Sequence, residues 1–173
     1  MPARARVYVS IGSNTDRTRY VTAALDTLAQ WFGELTISPV YESEAVGFDG
    51  SPFYNLVVGV DTDWPVGELS RRFKQLEADN GRRVGAPRFS AQTLDLDILT
   101  YDDLVGEIDG VELPRAEILR NAFVLWPLSD VAPDTRHPVC GKTYRELWQA
   151  YSSDQKLWPV EFTWQGKRIS RAF

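Results

Sequence analysis

Asp95 and Asp97 stand two residues apart in the segment "TLDLDILTY", residues 93–101. Apolar residues at Leu94, Leu96 and Ile98 repeat with period two, which is the pattern of a strand with one face on a core. The two aspartates then share the opposite face, about 6.6 Å apart at a rise of ~3.3 Å per residue. Carboxylates this close repel, and burying either one unpaired costs on the order of several kcal/mol. A cation or water must therefore face them. A solvated strand face is the plain explanation of such a pair. The apolar run around it, an expected place inside the sheet and a basic segment just before it favour the cation. Two hard oxygen ligands on a rigid strand suit Mg²⁺, which takes one or two carboxylates and leaves its other positions to water and phosphate. Two such ions bridging a phosphate chain serve in-line phosphoryl displacement.

The basic segment strengthens that reading. Residues 71–88 carry Arg71, Arg72, Lys74, Arg82, Arg83 and Arg88 against only Glu77 and Asp79, inside a chain whose net charge is −5. Cations at a helix C-terminus would account for Arg82 and Arg83 through the macrodipole. Beside the aspartate pair, a small polyanion is the better partner. There is no G-x-x-x-x-G-K-[ST] loop, and "IGSN" at 11–14 is not a dinucleotide fingerprint, so ATP would be held without a P-loop.

The acidic balance excludes a broad nucleic-acid or anionic-lipid surface. One cysteine, Cys140, allows no internal disulfide, and one histidine, His137, leaves too few ligands for a usual zinc site. The N-terminal apolar run is about five residues, short of a signal core or a membrane span. A soluble, cytoplasmic, unprocessed monomer is expected.

The elements that must position these residues follow from local patterns. "RVYVSIG" is a strand ended at Gly12-Ser13-Asn14, and helical spacing runs from Arg17 to Trp31. "ELTISPVYESE" is a second strand kinked at Pro39, and "FYNLVVGVDTD" a third. A helix opens at Pro65 and runs to about Asn80. "GRRVGAPRFSAQ" is a loop before the aspartate strand, and Asp109-Gly110 turns a small hairpin. Short helices are expected at 115–120, 123–131 and 143–151, then a strand or hairpin with Gln165-Gly166 at its turn. The order strand, helix, strand, strand, helix, strand predicts one α+β domain over 1–173, a ferredoxin-like βαββαβ antiparallel sheet with helices packed on it and a C-terminal helical and strand extension.

"TLDLDI" after a basic loop, with "IGSN", "YESEAVG", "FYN", "LEADNGR" and "FVLWPLSDVAPD", resembles the 6-hydroxymethyl-7,8-dihydropterin pyrophosphokinase family over about residues 6–150. The resemblance implies transfer of pyrophosphate from ATP to the hydroxymethyl oxygen of the pterin, releasing AMP, in folate biosynthesis. It implies that Asp95 and Asp97 hold two Mg²⁺ ions, that Arg82 and Arg88 serve the phosphates, and that Glu77, Ile98 and Arg115 line the nucleotide side. Ser43, Phe53, Asn55, Phe89 and Phe123 fall at its pterin-contacting positions. A flat pterin suits an aromatic sandwich, and its edge needs fixed polar partners.

The chain also departs from the family pattern. Ser90-Ala91-Gln92 replaces Gly-Pro-Arg, and glutamine cannot imitate an arginine fork. Phe89 replaces tryptophan, Arg115 a histidine, Asn121 an arginine and Ala45 a proline. Two alternatives therefore stand beside the enzyme: a diverged pterin- or nucleotide-binding module, and a Mg²⁺-dependent transferase with a related substrate. Residues 158–173 lie beyond the resemblance, with no role assigned.

Overall fold

Val7, Val9 and Ile11 alternate along β1 (Ala5–Ser13) and are fully buried, so this strand runs through the centre of the molecule. The structure, a computed structural model, describes residues 4–44, 52–81 and 93–172. After β1 come α1 (Arg17–Phe32), β2 (Thr36–Ile37), β3 (Val40–Ser43), β4 (Phe53–Thr62), α2 (Val66–Asp79) and β5 (Asp95–Tyr101). A hairpin of β6 (Gly106–Ile108) and β7 (Val111–Leu113) leads to α3 (Glu117–Arg120), α4 (Ala122–Val131) and α5 (Tyr144–Ala150). The tail holds β8 (Leu157–Val160), β9 (Phe162–Trp164) and β10 (Lys167–Ser170).

The fold is mixed α/β, and its main sheet has strand order β5-β1-β4-β3-β8, with β2 also paired to β4. Every pairing in it is antiparallel. The kink at Pro39 is real: Ser38 and Pro39 divide β2 from β3, and the Ser38 hydroxyl accepts the Val57 amide at 2.9 Å to close the break. Both hairpin turns are as expected. Asp109 and Gly110 have φ of 51° and 81°, Gln165 and Gly166 of 50° and 76°, the pair of left-handed residues that matches strand twist.

Helices cover both faces. Val21, Leu25 and Leu28 of α1 and Leu69 and Phe73 of α2 pack on the face bearing Val9, Ile11, Leu56, Leu96 and Ile98. Ile118 of α3, Val124, Leu125 and Leu128 of α4, and Tyr144 of α5 pack on the other, against Tyr8, Val57 and Leu99. Each such side chain, fully buried, stabilises by about 1.5–3 kcal/mol. Among the described residues no helix is long and apolar enough to cross a membrane.

One expectation is overturned. β5 is an edge strand, not an interior one. Its apolar run reports two covered faces, which helices supply, and says nothing of strands on both sides. The exposed edge is satisfied by other elements instead. The Glu77 carboxylate of α2 accepts the Leu96 amide at 2.8 Å, and the Arg115 amide donates to the Leu99 carbonyl at 2.9 Å.

Candidate active site

Asp95, Gly12, Asn55 and Tyr41 form one transverse row across β5, β1, β4 and β3, each paired with the next. Paired residues share a face, so Asp95 and Asn55 rise from the same side of the sheet, with the side-chain-free Gly12 between them. Two strand spacings put them about 10 Å apart. Asp97 pairs with Ser10 in the adjoining row on that face. The Ser13 hydroxyl donates to the Thr93 carbonyl at 2.5 Å, which pins the start of β5 to the end of β1.

At the β5 end the electrostatics are strongly biased. Burial, reinforced by the charge of Asp95, pushes the Asp97 carboxyl up to about 8; Arg115 opposes the rise, and Glu117 and Glu77 add to it. Arg115 Nη2 lies 3.4 Å from Asp97 and 3.1 Å from Glu117. Burial works against its guanidinium charge, yet Asp97 and Glu117 hold that charge firmly. The Arg115 Nε is buried with no hydrogen-bond partner among the described residues. Glu77, Asp95, Asp97, Ile98, Lys74 and Arg115 line a cleft of about 380 Å³ here. Among the described residues no three His, Cys, Asp or Glu side chains form a metal cage. The donor set is thus two carboxylates on one strand, which fits a hard ion completing its shell with water and phosphate.

The other end of the row is built from β3, β4 and α4. Asn55 Nδ2 donates to Ser43 Oγ at 2.7 Å, and both residues are buried. Phe53, opposite Ser43, is half-buried. A Cβ on Gly12 would stand 3.6 Å from Asn55 Oδ1 and 3.8 Å from the Phe53 ring, so the glycine is the floor between them. Phe123 sits in the first turn of α4, which crosses this face with Trp126 against Tyr41, ring centroids 4.4 Å apart. Tyr41 in turn donates to Asp130 at 2.5 Å. Ser43, Phe123 and residues 153–157 line a second cleft of about 410 Å³.

The structure therefore groups Glu77, Asp95, Asp97, Ile98 and Arg115 at one end and Ser43, Phe53, Asn55 and Phe123 at the other. Arg82, Arg88 and Phe89 lie outside the described residues, as do Gln92 and Ala45. Sequence reasoning passed over Gly12, although a glycine inside a strand is itself a sign of close approach. It also passed over the structural side of Glu77, since nothing local announces a carboxylate that caps a strand edge.

The sequence pattern of the family 7,8-dihydro-6-hydroxymethylpterin-pyrophosphokinase matches residues 8–133. The 2-amino-4-hydroxy-6-hydroxymethyldihydropteridine pyrophosphokinase of Pseudomonas aeruginosa is 36% identical over 137 residues, covering 77% of this chain and 84% of its own. That of Aquifex aeolicus is 32% identical over 145 residues, covering 83% and 90%. A crystal structure of Plasmodium falciparum HPPK-DHPS with pterin and p-hydroxybenzoate superposes with a TM-score of 0.69 at 14% identity, over 98% of this chain. The chain spans 49% of that longer one, so the likeness carries the fold alone.

Proposed function

The chain belongs to the 7,8-dihydro-6-hydroxymethylpterin-pyrophosphokinase family, and on that premise we propose how its residues divide the work of the reaction. It transfers a pyrophosphoryl group from ATP to the hydroxymethyl group of 6-hydroxymethyl-7,8-dihydropterin in folate biosynthesis, with AMP as the other product. The observation that carries the assignment of roles is the single row Asp95–Gly12–Asn55 on one sheet face. A carboxylate site and a polar–aromatic site stand about 10 Å apart there, with nothing tall between them.

Asp95 and Asp97 would hold Mg²⁺, two ions by the resemblance, which would supply positive charge against the phosphates of ATP. Arg115, with Arg82 and Arg88 from the basic stretch of sequence before β5, supplies cationic contacts to the same phosphates. Glu77 holds β5 in place through the Leu96 amide, and Ile98, its side chain buried in the core, lines the nucleotide side of the cleft. Asn55, oriented by Ser43, offers a fixed amide to the pterin edge, and Phe53, Phe89 and Phe123 enclose the ring. Gly12 lets the hydroxymethyl group approach across the floor. Such a site acts by positioning and charge, because phosphoryl-type transfer asks little covalent help of the protein.

The strand order β5-β1-β4-β3 with α1 and α2 on one face supports a ferredoxin-like arrangement, and the pairing of β8 with β3 supports one domain over 1–173. The free, exposed Cys140 fits a reducing, cytoplasmic setting.

AMP release with the dihydropterin, ATP and Mg²⁺ tests the reading. Turnover by the wild type that disappears in Asp97→Ala supports it. A folded wild-type protein that releases no AMP sinks it.

A further inference from the structure

We propose that the C-terminal segment 153–157 is a wall of the substrate site and that Gln155 is a positioning residue for Phe123. This rests on the reading that Phe123 and Ser43 face the pterin.

The segment is fastened where Phe123 is held. Gln155 Oε1 accepts the Ala122 amide at 2.6 Å, and its Nε2 donates to Asn121 Oδ1 at 2.9 Å. Asn121 and Ala122 are the cap and first residue of α4, and Phe123 follows them. A helix start leaves its first amides without helical partners, and an asparagine there ordinarily accepts one with its side chain. Asn121 makes no such cap; its side-chain oxygen is turned to the tail, and the tail's glutamine takes the Ala122 amide instead. Tyr151 adds a third tie one residue earlier, its hydroxyl donating to the Arg120 carbonyl at 2.6 Å.

The chain then crosses directly to the other side of the cleft. Leu157 pairs with Ser43 in the β8–β3 ladder, so residues 153–157 span from Phe123 to Ser43 and close the 410 Å³ cleft those two share. The far end is anchored as well. Phe162 is buried in the core, the Ser170 hydroxyl donates to the Val160 carbonyl at 2.5 Å, and Trp164 Nε1 donates to Asp26 on α1 at 2.9 Å. A segment fixed at both ends is a wall, not a fraying terminus. Its occupant is the pterin ring, since the cleft's aromatic and hydroxyl groups are those of the pterin end.

The test compares wild type, Gln155→Ala and Gln155→Glu. Loss of the clamp lets Phe123 move off the ring, so Gln155→Ala raises the KM for the dihydropterin roughly three- to tenfold, the worth of one or two hydrogen bonds. Its KM for ATP and its kcat change less than twofold. Gln155→Glu keeps an acceptor for the Ala122 amide and recovers part of the loss. A purely structural role would lower the unfolding temperature and leave KM alone; a dihydropterin KM within twofold of wild type in folded Gln155→Ala overturns the proposal. Fluorescence titration with 6-hydroxymethylpterin separates the two readings. A wild type that binds the probe without releasing AMP refutes the enzyme, and the probe's affinity for Gln155→Ala then decides the wall. A wild type that binds no pterin refutes both.

Discussion

Asp97 is held against its own preference, and replacing it should show this as stability. In the metal-free protein its carboxyl is pushed up from 3.8 to about 8, by burial and then by Asp95. The folded protein therefore binds a proton there that the unfolded chain has lost. Stability contributed by this site is intact below about pH 4, falls as pH rises toward 8, and is flat above that. Asp97→Asn is neutral at every pH, so its advantage over wild type grows across the same window. At full weight a rise of that size is worth about 5–6 kcal/mol at 1.36 kcal/mol per unit. The side chain is 24% exposed, however, and water screens it. Two unit charges ~6.6 Å apart at an effective dielectric of ~20 repel by about 2.5 kcal/mol. A gain of about 2 kcal/mol at pH 8.5 is expected, or roughly 4–8 °C in Tm for a chain of this size. Thermal unfolding in EDTA at pH 4 and pH 8.5 measures it, with AMP release lost in parallel. An offset equal at both pH values, or a variant less stable than wild type at pH 8.5, refutes the reasoning.

Gly12→Ala should fold normally, because its new Cβ meets neighbours only at 3.6 Å and beyond, and unfolding should shift by under ~1 kcal/mol. The methyl group would occupy the floor between Asp95 and Asn55, so the pterin KM should rise at least about tenfold, an effect of ~1.4 kcal/mol that steady-state kinetics would read. Asn55→Ala removes the bond to buried Ser43 and should cost about 1–3 kcal/mol by chemical denaturation as well as abolishing pterin binding, measured by fluorescence titration. Arg115→Met should weaken ATP binding by roughly tenfold in calorimetry, about the worth of one charged contact. It should also move the Asp97 transition to higher pH, since Arg115 is the cation that opposes the rise.

The elements were legible because each carries its own local signal. Alternating runs marked β1 and β5, a continuous apolar run marked β4, helical spacing marked α1 and α2, and Asp-Gly and Gln-Gly marked the two hairpin turns. The aspartate pair was legible for the same reason, since i and i+2 share a strand face whatever surrounds them. What the chain does not announce locally is who stands beside whom. The apolar run of β5 looked interior because helices cover both its faces, while its edge is closed by the Glu77 carboxylate and the Arg115 amide. The tail carries only a hairpin signal, and its return to β3 and to α4 depends on pairings over a hundred residues long and on the Gln155 amide meeting Asn121. Gly12 becomes meaningful only once Asp95 and Asn55 are seen on either side of it.

The measurement that bears most directly on this account is a crystal structure of the protein with Mg²⁺, a non-reacting ATP analogue and 6-hydroxymethylpterin. The account predicts carboxylate oxygens of both Asp95 and Asp97 at about 2.0–2.1 Å from metal that also touches phosphate. It predicts the pterin ring over Gly12, hydrogen-bonded to Asn55 and flanked by Phe53 and Phe123. Metal held without these two aspartates, or a pterin bound elsewhere on the molecule, would contradict it.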